Sequence, residues 1–143
     1  MLIAHVLRDK GATVHTLGAD ATLEQAAKEL HSRKVGALVV LDGAGAILGV
    51  LSERDLVREI ARRGAAALDD SVAAVMTRDV HTATMDETVD DGLSRMTDRR
   101  VRHLPVVVAG QLLGIVSIGD LVKHRIMAVE AEAAAMQAYI AAQ

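Results

Sequence analysis

Two serines, each followed three residues later by an aspartate, are the side chains best placed for chemistry. One pair is Ser52 and Asp55 and the other is Ser117 and Asp120, and a glycine stands three residues before each serine. The simplest interpretation is structural. A serine before a helix and an acid three residues later both stabilise its first turn, because they satisfy free backbone N–H groups and complement the helix dipole.

The same pairs also fit the binding of a sugar phosphate. The start of a helix offers unpaired N–H groups to a phosphate, and the serine hydroxyl adds another donor. An aspartate carboxylate can accept hydrogen bonds from both cis hydroxyls of a ribose. Gly49 and Gly114 would let a ligand approach the backbone closely, or they simply serve a tight turn or a bulge. No base accompanies either serine, so the pattern predicts binding without catalysis.

Both pairs belong to an internal repeat. Residues 22–40 align with residues 88–106 at an offset of 66, and residues 49–57 align with residues 114–122 at an offset of 65. The one-residue difference falls in a glycine-containing turn, where insertions are tolerated. The repeat therefore predicts two similar structural units in one chain.

Each half has the pattern strand, helix, strand, strand, helix. The apolar spacing after Thr22 predicts an amphipathic helix, which Thr22 and Gln25 begin with a capping box. Near-continuous apolar runs predict strands buried on both faces. Pro105 has no N–H to donate, so we expect it at the beginning of its strand or on a sheet edge.

The predicted fold class is α/β (α+β), with two β-α-β-β-α repeats related by a pseudo-twofold axis and a C-terminal helix. A unit of about 60 residues buries little surface alone, so we expect the two halves to cover each other's sheets and to form two similar clefts. The predicted boundaries are residues 1–64 for the first repeat, 65–71 for a linker, 72–127 for the second repeat and 128–143 for a helical tail. Ser71 is expected to cap a short helix through Met76.

The tail carries an apolar stripe at helical spacing. Its members are Val129, Ala133, Met136 and Ile140. This stripe is compatible with a tail that folds back on its own domain and equally with one that pairs with another subunit.

Composition excludes several classes of protein. The 143 residues are 51% hydrophobic and 1% aromatic, carry a net charge of −3 and include no cysteine. The absence of cysteine excludes disulfides and thiolate metal sites. The charge and the lack of rings argue against a nucleic-acid binder, and no apolar stretch has the length of a membrane span. A cytoplasmic protein is the default expectation. His15 and His81 are repeat equivalents, but their setting does not predict a metal site.

The chain from about residue 3 to residue 127 resembles the tandem CBS-domain module, or Bateman module, of the small stand-alone bacterial type. The resemblance is carried by both Gly-x-x-Ser-x-x-Asp copies and by residues 35–40 and 102–107. It implies a regulatory module for signal transduction or energy sensing that binds an adenosyl ligand and requires no cofactor. AMP is the first choice of ligand, and ATP, ADP, NAD and S-adenosylmethionine are the others. The resemblance also implies a homodimer and an unidentified downstream protein.

The resemblance further implies which residues line the two clefts. In the second repeat they are Thr82, Arg102, His103, Pro105, Ser117, Gly119 and Asp120. In the first repeat they are Thr16, Gly36, Ala37, Ser52 and Asp55. The aspartates would hold the ribose, and the serines would lie near the ribose or the phosphate.

The two predicted sites differ in charge. Basic side chains gather in the second half, namely Arg99, Arg100, Arg102, Lys123, His124 and Arg125. In the first half Glu53 follows Ser52 and would repel a phosphate. We therefore expect the second repeat to hold the better anion site. The alternative function is a structural or protein-interaction module whose nucleotide clefts are vestigial.

Overall fold

The computed structural model describes residues 1–143 as a mixture of helices and short strands. The helices are α1 (Ile3–Lys10), α2 (Leu23–Arg33), α3 (Glu53–Arg63), a 3₁₀ helix (Gly64–Asp69), α4 (Val72–Val75), α5 (Val89–Arg99) and α6 (Ile118–Ala141). The strands are β1 (Thr16–Gly18), β2 (Ala37–Leu41), β3 (Ile47–Ser52), β4 (His103–Val108) and β5 (Gln111–Ser117). None of the helices combines the length and the apolar character that a membrane crossing requires.

The strands form two sheets. In the first, β1 runs parallel to β2, which pairs with β3 in antiparallel orientation, and in the second β4 pairs with β5. In place of a strand equivalent to β1, the second repeat has a single parallel bridge between Ala83 and Val106. The N–H of Val39 donates to a carbonyl oxygen 3.2 Å away, whereas its repeat equivalent Pro105 has no N–H. The prediction that Pro105 lies on an edge is thus confirmed.

Side-chain caps fix where the repeated helices begin. The Thr22 hydroxyl accepts from the Gln25 N–H at 3.2 Å, and the Thr88 hydroxyl accepts from the Asp91 N–H at 3.0 Å. The capping box predicted at Thr22 is confirmed, and α5 has its equivalent. These caps set the first residue of α2 and of α5.

The chain divides into two compact units that differ from the two halves of the sequence. We call residues 13–81 with 109–112 the first-repeat unit, and residues 1–12 with 82–108 and 113–143 the second-repeat unit. Helix α1 thus packs within the unit that holds the second repeat.

Each unit has an aliphatic core. The first is built around Leu23, Leu38, Val40, Leu51, Ala67 and Val72. The second is built around Ile3, Val6, Met96, Leu104, Val116 and Leu121. The segment 65–71, which its composition predicts to be a linker, falls largely within the 3₁₀ helix, and its Ala67 is fully buried. Ser71 caps α4 as predicted, because its hydroxyl accepts from the Ala74 N–H at 3.3 Å.

Candidate functional site

The first serine–aspartate pair forms a closed capping box at the start of α3. The Ser52 N–H donates to Asp55 Oδ2 at 3.0 Å, and the Asp55 N–H donates to Ser52 Oγ at 3.3 Å. Arg58 donates to the other carboxylate oxygen at 2.7 Å. Asp55 is only 4% exposed, and both of its carboxylate oxygens accept hydrogen bonds from within the chain.

The second pair caps α6 in the same way but is more open. The Ser117 N–H donates to Asp120 Oδ2 at 2.8 Å, and the Asp120 N–H donates to Ser117 Oγ at 3.1 Å. The Asp120 side chain is 26% exposed, and its hydrogen bonds within the chain all use Oδ2. A Cβ at Gly119 would meet only the Ser117 hydroxyl, so the start of this helix is uncrowded.

Sequence reasoning missed Lys10, which contacts the second pair. Its ammonium lies 2.6 Å from Asp120 Oδ2 and 2.7 Å from the carbonyl oxygen of Ile115. Burial raises the pKa of Asp120, but hydrogen bonds from Lys10 and Ser117 outweigh it and hold that pKa below its usual value. Lys10 and Asp120 are separated by 110 residues, and no local pattern connects them.

Thr77 makes the corresponding contacts in the first-repeat unit. Its backbone N–H donates to the Val50 carbonyl at 2.9 Å, and its hydroxyl lies 3.5 Å from Asp55 Oδ1. Val50 and Ile115 are repeat equivalents. In the second-repeat unit, the Lys10 ammonium therefore makes the two contacts that the backbone N–H and the hydroxyl of Thr77 make in the first-repeat unit. It also places a positive charge at Asp120.

The glycines before each serine lie against the chain itself. A Cβ at Gly49 would be 2.7 Å from the Thr77 carbonyl oxygen and 2.8 Å from Met76 Sδ. A Cβ at Gly114 would be 2.8 Å from Leu7 Cδ2. Residues of the same unit therefore occupy the space beside each glycine that a side chain would otherwise fill.

Backbone hydrogen bonds bring the strand-start residues next to the helix starts. The Glu53 N–H donates to the Gly36 carbonyl at 3.0 Å, and the Ile118 N–H donates to the Arg102 carbonyl at 2.8 Å. Ala37 is buried and lies opposite Ser52 in the β2–β3 register. The exposed Arg102 therefore stands beside the beginning of α6.

The remaining predicted residues lie on strands, except for Thr82, which precedes the isolated bridge at Ala83. Thr16 begins β1 opposite Val39 of β2. Thr82 is exposed, and its carbonyl oxygen accepts from Arg95 at 2.7 Å. His103 begins β4, and the buried Pro105 follows two residues later, where its carbonyl accepts from the Ala83 N–H at 2.9 Å.

Two of the cations expected at the second site point elsewhere. His124 is buried, with Nδ1 2.9 Å from the Asp120 carbonyl oxygen and Nε2 3.1 Å from Asp9 Oδ2. Arg125 lies 3.3 Å from Asp90. The positive charge in contact with the second pair comes instead from Lys10, whereas the exposed Arg102 is joined to the start of α6 through its backbone carbonyl.

An open depression of about 610 Å³ lies beside the first helix start. It is lined by Leu30, His31, Ser32, Lys34, Val35, Gly36 and Glu53. Of the predicted site residues, only Gly36 lines this depression. The lining includes one acidic side chain, Glu53, and one basic side chain, Lys34, whose charges are opposite. The chain contains no group of three or more His, Cys, Asp or Glu side chains that could hold a metal ion.

The second helix start offers donors for an anion and an acceptor for a hydroxyl, whereas both carboxylate oxygens of Asp55 at the first are already bonded within the chain. At the second helix start the N–H groups of Ser117, Ile118 and Asp120 are bonded within the chain, which leaves the Gly119 N–H and the Ser117 hydroxyl as donors. The open oxygen of Asp120 is an acceptor for a ribose hydroxyl. The second-repeat unit offers the better combination, since its acceptor is accessible and its neighbours are cations.

Comparison with known proteins identifies a family match over both repeats. The model of the CBS domain family matches residues 11–62 and residues 72–126. An uncharacterised 17.7 kDa protein of Acidianus ambivalens is 38% identical over 111 residues, which cover 77% of this chain and 66% of that protein. The chain thus spans about two thirds of the length of that relative.

Solved structures confirm the predicted fold class. A CBS-domain containing protein from Agrobacterium tumefaciens is 44% identical and superposes with a TM-score of 0.85 over 87% of this chain and 92% of its own. The CBS domain pair of protein MJ0100, solved in complex with 5′-methylthioadenosine and S-adenosyl-L-methionine, is 25% identical. It superposes with a TM-score of 0.75 over 86% of this chain and 98% of its own.

Proposed function

Because the chain belongs to the CBS-domain family, with a CBS domain in each half, we propose that it is a non-catalytic regulatory module that binds an adenosyl ligand. AMP is the ligand proposed first, and ATP, ADP, NAD and S-adenosylmethionine are the alternatives. A ligand can carry a signal only if it binds one arrangement of the protein more tightly than another.

One observation carries the proposal: the second helix start combines an accessible acceptor with donors and cations. Asp120 keeps Oδ1 available for a ribose hydroxyl while Oδ2 closes the cap. The Ser117 hydroxyl and the Gly119 N–H lie at the start of α6, and the exposed Arg102 is joined to the same place because its carbonyl accepts from the Ile118 N–H. These groups match the hydroxyls and the phosphate of a nucleotide.

The MJ0100 domain pair supports the choice of an adenosyl ligand. Its structure holds two adenosine derivatives, and neither 5′-methylthioadenosine nor S-adenosyl-L-methionine carries a phosphate. In that protein the adenosyl group is the common element. We therefore take only the adenosyl group from this comparison, and the order of ligands proposed above, with AMP first, does not depend on it.

The proposed site residues remain those expected from the sequence, with Lys10 added. We propose that the second-repeat site binds first, through Ser117, Gly119, Asp120, Arg102, His103, Pro105 and Thr82. The first-repeat site would use Thr16, Gly36, Ala37, Ser52 and Asp55 and bind more weakly. A homodimer, an unidentified downstream protein and a cytoplasmic location stay predictions from the sequence.

A second candidate function is supported by the first-repeat unit. Asp55 is 4% exposed and is held by Ser52, Arg58 and Thr77, so a ligand could reach it only by displacing them. A module with one or both clefts vestigial would act through its helical surfaces alone. The two functions differ in whether any adenosyl compound binds.

Binding can be measured directly on the full chain. Isothermal titration with AMP, ATP, NAD, S-adenosylmethionine and GTP, together with mass spectrometry of small molecules retained after purification, would identify the ligand. A ligand at 100 times its Kd should add about 2.7 kcal/mol to the free energy of unfolding. If no adenosyl compound binds at millimolar concentration, the structural module is the correct function.

Substitution of the aspartates tests which site binds. We expect Asp120→Ala to weaken binding by about 1–3 kcal/mol, because a charged acceptor is lost, while the circular dichroism spectrum is retained. Asp98→Ala, at an exposed position on α5, is the matched control and should bind normally. A normal affinity in Asp120→Ala together with a loss in Asp55→Ala would reverse the order of the two sites.

A further inference from the structure

The Lys10 ammonium keeps one hydrogen-bond donor that the chain does not use. A lysine ammonium has three N–H groups. One donates to Asp120 Oδ2 at 2.6 Å, and another donates to the Ile115 carbonyl oxygen at 2.7 Å. The Lys10 side chain is 31% exposed, so the third N–H is accessible to a ligand at the start of α6.

The end of α1 holds this ammonium in place. Asp9, the residue before Lys10, has Oδ2 3.1 Å from Nε2 of the buried His124. Nδ1 of the same ring lies 2.9 Å from the Asp120 carbonyl oxygen. Two consecutive residues of α1 thus contact the first two turns of α6. Because Lys10 is positioned before a ligand arrives, binding to it costs less conformational entropy than binding to a mobile side chain.

The two helix starts differ in local charge. At the second, Lys10 balances Asp120, and the first helical residue is the uncharged Ile118. At the first, Arg58 balances the carboxylate of the pair, but the first helical residue is Glu53. The pair and the residue that follows its serine are therefore neutral in sum at the second helix start and negative at the first.

We propose that Lys10 is a specificity-determining residue, which makes the second helix start select adenosyl ligands with a negatively charged 5′ group. The inference rests on the adenosyl-binding function proposed above. A ribose hydroxyl on Asp120 Oδ1 would place the ammonium, which holds Oδ2, only one carboxyl group away from the ligand. Opposite charges closer than the Debye length, about 8 Å at physiological ionic strength, attract each other with little screening. The free N–H of Lys10 can also donate directly to a phosphate oxygen.

This role of Lys10 divides the candidate ligands by charge. AMP, ADP, ATP and NAD carry phosphate, whereas 5′-methylthioadenosine is uncharged and S-adenosylmethionine has a positively charged sulfonium. The second helix start should prefer the phosphorylated ligands. The first helix start, where Glu53 adds a negative charge, should not share that preference.

NMR titration of the isoleucine-methyl-labelled full chain measures binding at the second helix start. Ile115 and Ile118 lie on either side of Ser117, whereas their repeat equivalents in the first half are Val50 and Glu53. Titrations with AMP and with adenosine, followed at Ile118, give two dissociation constants. Their ratio is the preference for the phosphate, and it cancels a general change in the fold.

We expect Lys10→Met to lower the preference for AMP over adenosine about tenfold, because a charge-assisted hydrogen bond at a partly exposed site is lost. Lys10→Arg keeps the charge and should retain the preference within about twofold. The preference of the natural chain should also weaken as NaCl is raised, since salt screens the attraction.

Lys28→Met is the matched control, because it removes the same charge from an exposed position on α2. It should keep the preference of the natural chain. Equal losses of AMP and adenosine affinity in Lys10→Met would show that Lys10 supports only the fold or the ribose contact, and this result would overturn the inference. A preference that NaCl does not change would do the same. If AMP, adenosine and 5′-methylthioadenosine all leave the Ile118 signal unmoved at millimolar concentration, adenosyl binding at this site is itself refuted, and the inference is overturned with it.

Discussion

Lys10 should stabilise the second-repeat unit through the carboxylate of Asp120, and Lys10→Met removes its charge while keeping a long side chain. The Lys10 side chain is 31% exposed, the Asp120 side chain is 26% exposed, and Lys10 Nζ lies 2.6 Å from Asp120 Oδ2. A hydrogen bond between charged groups contributes about 1.5–3 kcal/mol when shielded, whereas an exposed ion pair contributes about 0–1 kcal/mol. This partly exposed pair should therefore contribute about 1 kcal/mol, which is a fivefold change in the folding equilibrium.

The contribution should depend on pH in a defined direction. The pKa of Asp120 lies below its ordinary value of 3.8 in the folded protein, since hydrogen bonds from Lys10 and Ser117 outweigh burial. The stabilisation is therefore fully present above that ordinary value, and it is lost as the pH falls through the lower pKa of the folded state. The stability difference between the natural chain and Lys10→Met should be constant near pH 7 and should shrink below pH 3.8.

Urea unfolding followed by far-ultraviolet circular dichroism is the suitable assay, because the chain has no tryptophan. Lys28→Met is the matched control: Lys28 pairs with Glu24 at 3.5 Å on an exposed helix face and should contribute less than about 0.5 kcal/mol. Equal stability of Lys10→Met and Lys28→Met would refute the reasoning. So would a Lys10→Met difference that persists unchanged once the carboxylate is protonated.

Five further substitutions test the packing and the caps by the same unfolding assay. Gly49→Ala should destabilise the chain by about 3 kcal/mol and Gly114→Ala by about 1 kcal/mol, since the added methyl meets a fixed carbonyl in the first case and a movable leucine side chain in the second. Ser117→Ala should cost about 1 kcal/mol through loss of the α6 cap, and an unchanged unfolding midpoint would show that the cap contributes nothing. Leu38→Ala, at a fully buried position, should cost about 2–5 kcal/mol, whereas the 38% exposed Leu113→Ala should cost clearly less.

The sequence was sufficient to predict the features that depend on local spacing. Thr22, Ser52, Thr88 and Ser117 each cap the helix that follows, as their spacing to an acid or glutamine three residues on indicates. The repeat offset similarly indicated which strands and helices correspond. These features depend on hydrogen bonds between residues three apart, so they can be recognised without the tertiary fold.

Features that depend on distant partners could not be predicted in this way. The sequence predicts residues 1–64 as the first repeat, whereas Ile3 and Leu7 belong to the second-repeat core. The spacing of Ser117 and Asp120, which predicted the α6 cap, gave no indication that Lys10 contacts Asp120. The cations of the second half were predicted as one group, yet His124 and Arg125 are held by carboxylates from distant segments.

The assignment of α1 to the second-repeat unit has a consequence for synthesis on the ribosome. Residues 13–81, nearly all of the first-repeat unit, form one continuous stretch and can assemble while the rest is still being translated. Helix α1 emerges earlier, but its fully buried Ile3 and Val6 have no core until residues beyond 82 follow. Helix α1 can therefore reach its final packing only after the second repeat has been translated.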